Sequence, residues 1–152
     1  MDARVHKAQS GLTIMIFVVL MQHGVSSDPS YIEASALMIR KRLLNPDLLS
    51  PVERKRIAPR LKHFPIETEV LFQPAYETNY TTMEVIAQDR PGLLHQVANA
   101  LLACKVRLLN ARISTFGERA EDIFLIHDRD GSQLASQNQK DCLSRTIREG
   151  LP

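Results

Sequence analysis

With 152 residues, 44% of them apolar and 24% charged, the chain has the composition of a globular protein and enough apolar material for one or two small cores. Its formal net charge of +2 is too small to argue for a nucleic-acid or membrane partner. The longest apolar run, residues 12–21, is about half the length of a membrane span and suits a buried strand, so a soluble, cytoplasmic protein is expected.

Taken in chain order, residues 2–9 alternate weakly, with Ala3 and Val5 apolar, and suit a strand. Gly11 marks a turn, and the run LTIMIFVVLM at 12–21 is rich in β-branched residues, as strands are. Asp28-Pro29 reads as a cap followed by a first-turn proline. The helix after it carries Ile32, Ala36, Ile39, Leu43 and Leu44 on an apolar face and stops by Pro46. Residues 47–79 differ in composition, with Pro51, Pro59, Pro65, Pro74 and a basic cluster at Arg54, Lys55, Arg56, Arg60 and Lys62. They read as a connector whose basic cluster is a solvated face rather than a docking patch. Within it, residues 66–72 suit a strand with Val70 and Phe72 on one face, which either closes the sheet of a first unit or adds an edge to a second.

Residues 81–102, TTMEVIAQDRPGLLHQVANALL, join a strand to a helix through Asp89-Arg90-Pro91-Gly92. Met83, Val85 and Ala87 alternate, and Leu93, Leu94, Val97, Ala98, Leu101 and Leu102 recur at helical spacing. Asp89 is expected to cap the helix and Pro91 to sit in its first turn. Residues 105–116 read as one strand with Val106, Leu108, Ala111 and Ile113 apolar. A turn at 117–119, a strand at 120–127, a hairpin-type turn at 128–131 and a helix at 137–149 with Cys142, Leu143 and Ile147 inward complete the chain.

The two halves repeat. Asp2-Ala3-Arg4-Val5-His6 resembles Asn110-Ala111-Arg112-Ile113-Ser114, and Gly11, Phe17 to Leu20 and Gly24 match Gly117, Phe124 to His127 and Gly131, at offsets of 106 to 108 residues. Residues 1–46 therefore repeat strand–strand–helix from the second unit and lack its opening strand–turn–helix.

Little here points to catalysis. His127-Asp128 and Asp128-Arg129-Asp130 imitate metal-binding pairs but stand at a strand end and a turn, without the further ligands such sites need. His6, His23, His63 and His95 show no ligand spacing. Cys104 and Cys142 are far apart in sequence and are expected to be free thiols, Cys104 in the core. No catalytic residue, metal or cofactor is expected. The turn at 89–94 is the candidate site. A free amino acid needs N–H donors for its carboxylate, which the backbone of Gly92, Leu93 and Leu94 can offer, and an acceptor for its ammonium, such as Asp89. The plain alternative is a structural strand–helix connection, with Arg90 a solvated charge.

The unit from residue 81 onwards resembles an ACT domain, a ferredoxin-like α+β regulatory module that usually senses an amino acid. His63-Phe64-Pro65-Ile66, Glu69-Val70, Glu84-Val85-Ile86-Ala87, residues 89–94, Ala111-Arg112-Ile113-Ser114-Thr115 and Gly117-Glu118-Arg119 followed by Glu121-Asp122 sharpen the likeness. Together they resemble the C-terminal end of the bifunctional uridylyltransferase/uridylyl-removing enzymes that modify the PII nitrogen-signalling protein, a family ending in two tandem ACT domains. The resemblance implies a truncated first ACT unit at 1–46, a connector at 47–79 and a second ACT domain at 80–152. It implies a fragment, or the product of a split or decayed gene, without the upstream nucleotidyltransferase and HD domains and so without their chemistry. Glutamine is the implied ligand, and the PII protein or separate catalytic domains are implied partners. In ACT domains the turn meets the second strand of a partner domain, which adds Asn110, from this unit or its mate, to Asp89, Arg90, Pro91, Gly92, Leu93 and Leu94. Met15 stands where related sequences often carry an acidic residue, and Glu118-Arg119-Glu121-Asp122 implies no chemistry beyond a turn and exposed strand charges. An incomplete unit leaves free sheet edges, so self-association is expected. Two other readings stand beside this one: a stand-alone ACT protein for another amino acid, and an inert remnant.

Overall fold

The computed structural model describes residues 2–7, 13–18, 28–45, 66–74 and 78–151. The chain divides into two units, Met1–Val18 with Arg54–Pro152, and Val19–Glu53. The described part of the second is helix α1 (Pro29–Leu44), capped by Asp28, whose carboxylate accepts the Ser30 N–H at 3.0 Å, with Pro29 opening the helix. Its apolar positions Ile32, Ile39, Leu43 and Leu44 are exposed.

The first unit is mixed α/β. Its strands are β1 (Asp2–Lys7), β2 (Thr13–Val18), β3 (Glu69–Pro74), β4 (Thr81–Gln88), β5 (Arg107–Arg112), β6 (Thr115–Phe116) and β7 (Arg119–His127). They form one seven-stranded sheet ordered β2-β1-β5-β7-β4-β3, with β6 on β7, and every pairing is antiparallel. Helices α2 (Leu93–Ala103) and α3 (Gln137–Gly150) supply the other layer. Among the described residues, no helix is long and apolar enough to cross a membrane.

The core lies between sheet and helices. Met83, Val85 and Ala87 alternate inward along β4, and Ala120, Phe124 and Ile126 along β7. They meet Val97, Ala100 and Leu101 of α2 and Leu143 and Ile147 of α3. Met83, Ile126, Leu143 and Ile147 are fully enclosed, each worth roughly 1.5–3 kcal/mol of burial. The stripe on α2 is rotated from the expected one. Leu102 is 76% exposed and Ala98 is also outside, while Ala100 and Cys104 turn inward. The strand expected at 66–72 starts three residues later and runs over Glu69–Pro74. It pairs with β4 along its length, Val70 opposite Val85 and Phe72 opposite Met83, and so borders the strand of the second half of the chain.

The strand expected over 105–116 is interrupted twice. Lys105 has φ 61, ending α2 in a left-handed residue. A bulge between Leu108 and Asn110 then shifts the register against β7. The extra residue brings Leu108, opposite Ile126, and Ala111, opposite Phe124, onto the same face of the sheet; Ala111 and Ile113 are buried, whereas Leu108 is 37% exposed. The hairpin-type turn expected at 128–131 forms: the Gly131 N–H donates to the Asp128 carbonyl at 3.1 Å and the Asp128 N–H to the Ser132 carbonyl at 2.8 Å, with Gly131 at φ 86, and the chain after it leads into α3 rather than into a second strand.

Cys104 and Cys142, expected as free thiols, form a disulfide. They are 38 residues apart in sequence, a spacing that hides a contact made only when α2 and α3 lie side by side.

The internal repeat has a structural counterpart. Ala3 of β1 pairs with Ala111 of β5, the residues the sequence repeat equates. β1 pairs with β2 as β5 pairs with β7, so the order β2-β1-β5-β7 reads as a pseudo-twofold arrangement about that alanine pair.

Candidate functional site

The turn between β4 and α2 is built from Arg90-Pro91-Gly92-Leu93. Leu93 donates its N–H to the Arg90 carbonyl at 3.2 Å, and Gly92 has φ 92 and ψ −2. That is a type II turn with proline second and glycine third, where a side chain at position 92 would meet the left-handed penalty of roughly 1–2 kcal/mol. The capping expected from Asp89 is overturned. Gly92 is the N-cap residue, it makes no side-chain cap bond, and Pro91 lies before the helix. Asp89 instead donates its backbone N–H to the Glu118 carbonyl at 2.8 Å, tying the turn to the start of β7.

This arrangement leaves α2 beginning without a side-chain cap, with its positive dipole end beside the turn. Leu93's N–H is committed to Arg90, so Gly92 and Leu94 are the remaining donors of the expected trio. The Leu93 side chain is buried in the core, Leu94 packs partly against it, and Asp89 and Pro91 are exposed. Asn110 lies elsewhere. It is paired with Leu125, which is paired with Thr82, at the opposite end of β4 from Asp89. Within one unit the turn and Asn110 are therefore not brought together.

A residue expected as an exposed strand charge is the most buried carboxylate among the described residues. Asp122 is 1% exposed on β7, at the position opposite Val85. One carboxylate oxygen accepts the Ser114 N–H at 3.1 Å, and the other is buried without a partner. Burial pushes the Asp122 carboxyl up to about 6 from 3.8, the Ser114 N–H opposes this, and the charge of Asp89 adds to the rise. Strand parity carried the signal: Ala120, Phe124 and Ile126 set the inward face, and Asp122 shares it. The adjacent Arg119–Glu121 ion pair, 2.6 Å long, is exposed and contributes little.

Compared with known proteins, the chain is 33% identical over 150 residues to the bifunctional uridylyltransferase/uridylyl-removing enzyme of Methylococcus capsulatus, covering 98% of this chain and 17% of the relative. The same enzyme of Vibrio parahaemolyticus is 32% identical over 148 residues, 97% of this chain and 17% of the relative. That of Photobacterium profundum is 38% identical over 141 residues, 91% and 16% respectively. No protein-family model matches the chain, and no solved structure matches it.

Proposed function

The chain is a relative of one segment of the bifunctional uridylyltransferase/uridylyl-removing enzymes, and from that premise we propose that it is an amino-acid-sensing regulatory module of the ACT type, with glutamine as ligand. The segment spans 16–17% of the length of these relatives, so the module is read as the sensor and the uridylyl chemistry as belonging to other parts of the enzyme. The observation that carries the reading is the type II turn opening an α2 that lacks a side-chain cap, next to an antiparallel sheet covered by helices on one face. Such a helix start is suited to the carboxylate of a zwitterion. The Asp89 carboxylate is the acceptor proposed for the ammonium group. Asn110, remote from the turn in its own unit, is proposed to serve the turn of another unit.

In this reading the ligand acts by binding one conformational state better than another, thereby biasing catalytic domains or a PII partner. No catalysis resides in this chain. Titration calorimetry with L-glutamine against a panel of other amino acids tests the proposal. Saturable heat with glutamine alone is the expected result. Saturable heat only with another amino acid would replace it with a sensor of that ligand, and no heat at all would leave a remnant without sensing.

A further inference from the structure

Cys104 and Cys142 are the only cysteines in the chain, and their disulfide joins the C-terminal end of α2 to the first half of α3. We propose that this bond is a redox-responsive clamp between α2 and α3, opened by a dithiol that attacks the sulfur of Cys142.

Three observations carry this. First, the helices meet through apolar contacts that do not need the bond. Leu143 and Ile147 are fully buried, and Val97, Leu101 and Leu151 are nearly so in the same core. A unit with a core of this extent does not depend on a staple as mini-proteins do, so the reduced form keeps its sheet and its fold. Second, the two sulfurs differ in access. Cys104 is 6% exposed while Cys142 is half-buried, so an incoming thiolate reaches Cys142. Third, the leaving sulfur has a neighbour. The Thr146 hydroxyl lies 4.0 Å from the sulfur of Cys104, placed to stabilise a departing thiolate and then to receive the thiol as a weak hydrogen-bond partner.

The exchange balances with the dithiol as reductant. Its thiolate forms a bond to the Cys142 sulfur as the Cys104–Cys142 bond breaks, and the electron pair passes to Cys104, which takes up a proton. The dithiol's second thiolate then attacks its own first sulfur, forming a cyclic disulfide and releasing Cys142 as a thiolate that is protonated. Two electrons move to the protein and the dithiol is oxidised.

Opening the clamp acts unequally on the two layers. α3 has two fully buried side chains and no side-chain bond at its N-cap Ser136, so it draws its order from tertiary contacts. The strands β4 and β7 hold each other along eight paired positions and are insensitive to the bond. α2, which begins at the Gly92 turn and ends at Cys104, loses its covalent anchor at the end away from that turn.

The test equilibrates the purified chain in mixtures of reduced and oxidised dithiothreitol. Free thiols are counted by alkylation and mass spectrometry, and thermal melting and hydrogen exchange are measured in each mixture. The reduced chain should remain folded, melt about 10 °C lower, and exchange the α3 amides at least ~10-fold faster with β4 and β7 unchanged. Cys142→Ser should match the reduced native chain in every mixture. The proposal fails if the reduced native chain unfolds outright, if melting and exchange are the same in both states, or if alkylation finds two free thiols under oxidising conditions.

Discussion

Asp122→Asn should abolish a loss of stability that the native chain undergoes as pH rises from about 4 to about 7. The sign follows from the raised carboxyl of Asp122, at 3.8 when unfolded and about 6 when folded. Below 3.8 the group is protonated in both states and costs nothing. Between the two values the folded chain holds the proton more tightly, so stability falls with rising pH. Above about 6 the full penalty of an ionised carboxylate with one unpartnered oxygen is present, about 3 kcal/mol. Asp28 and Asp130, whose carboxyls are held below the usual value by Ser30 and Ser132, give the opposite slope in acid. The difference between native and variant curves isolates Asp122. Asparagine keeps an oxygen for the Ser114 N–H, so the variant should fold. Urea denaturation at half-unit steps from pH 4 to 7.5 should show the two curves separating by about 3 kcal/mol. Parallel curves would mean that Asp122 is solvated or compensated.

The second large effect is expected at α3. Ile147→Ala should cost about 2–5 kcal/mol, the range for emptying a fully buried aliphatic site. Ile147 and Leu143 are the two buried residues of α3, so the loss falls on half of its apolar anchoring. The denaturation midpoint should drop with the slope unchanged. Leu102→Ala serves as the contrast. Leu102 appears on the α2 stripe when helical spacing alone is read, yet it is 76% exposed, so its truncation should stay within about 0.5 kcal/mol. Equal losses at the two positions would contradict the observed rotation of α2.

The comparison of these two leucine and isoleucine sites shows what sequence could and could not carry. Alternation along β4 and the Leu143/Ile147 pair on α3 were legible because burial there follows one period. On α2 two neighbouring stripes fit the same letters, and contact with the sheet chose Ala100 and Cys104 over Ala98 and Leu102. The bulge at Leu108–Asn110 was half visible, since the apolar parity slips between Leu108 and Ala111, but one continuous strand fitted the composition equally. At the candidate site, Asp-Arg-Pro-Gly suits both an aspartate cap and a type II turn. The positive φ of Gly92 selects the second. Asp122 was readable from strand parity and was hidden by the habit of placing charges outside. The disulfide was not readable, because it depends on the docking of two helices rather than on spacing in the chain.

The central claim is that the Gly92 turn receives an amino acid. Its most direct test is a titration of the isotopically labelled chain with L-glutamine, followed amide by amide in NMR spectra. Saturable shifts centred on the Gly92 and Leu94 amides, absent with D-glutamine, are the predicted result. Saturable shifts confined to other parts of the sheet, or none at any ligand concentration, would contradict it.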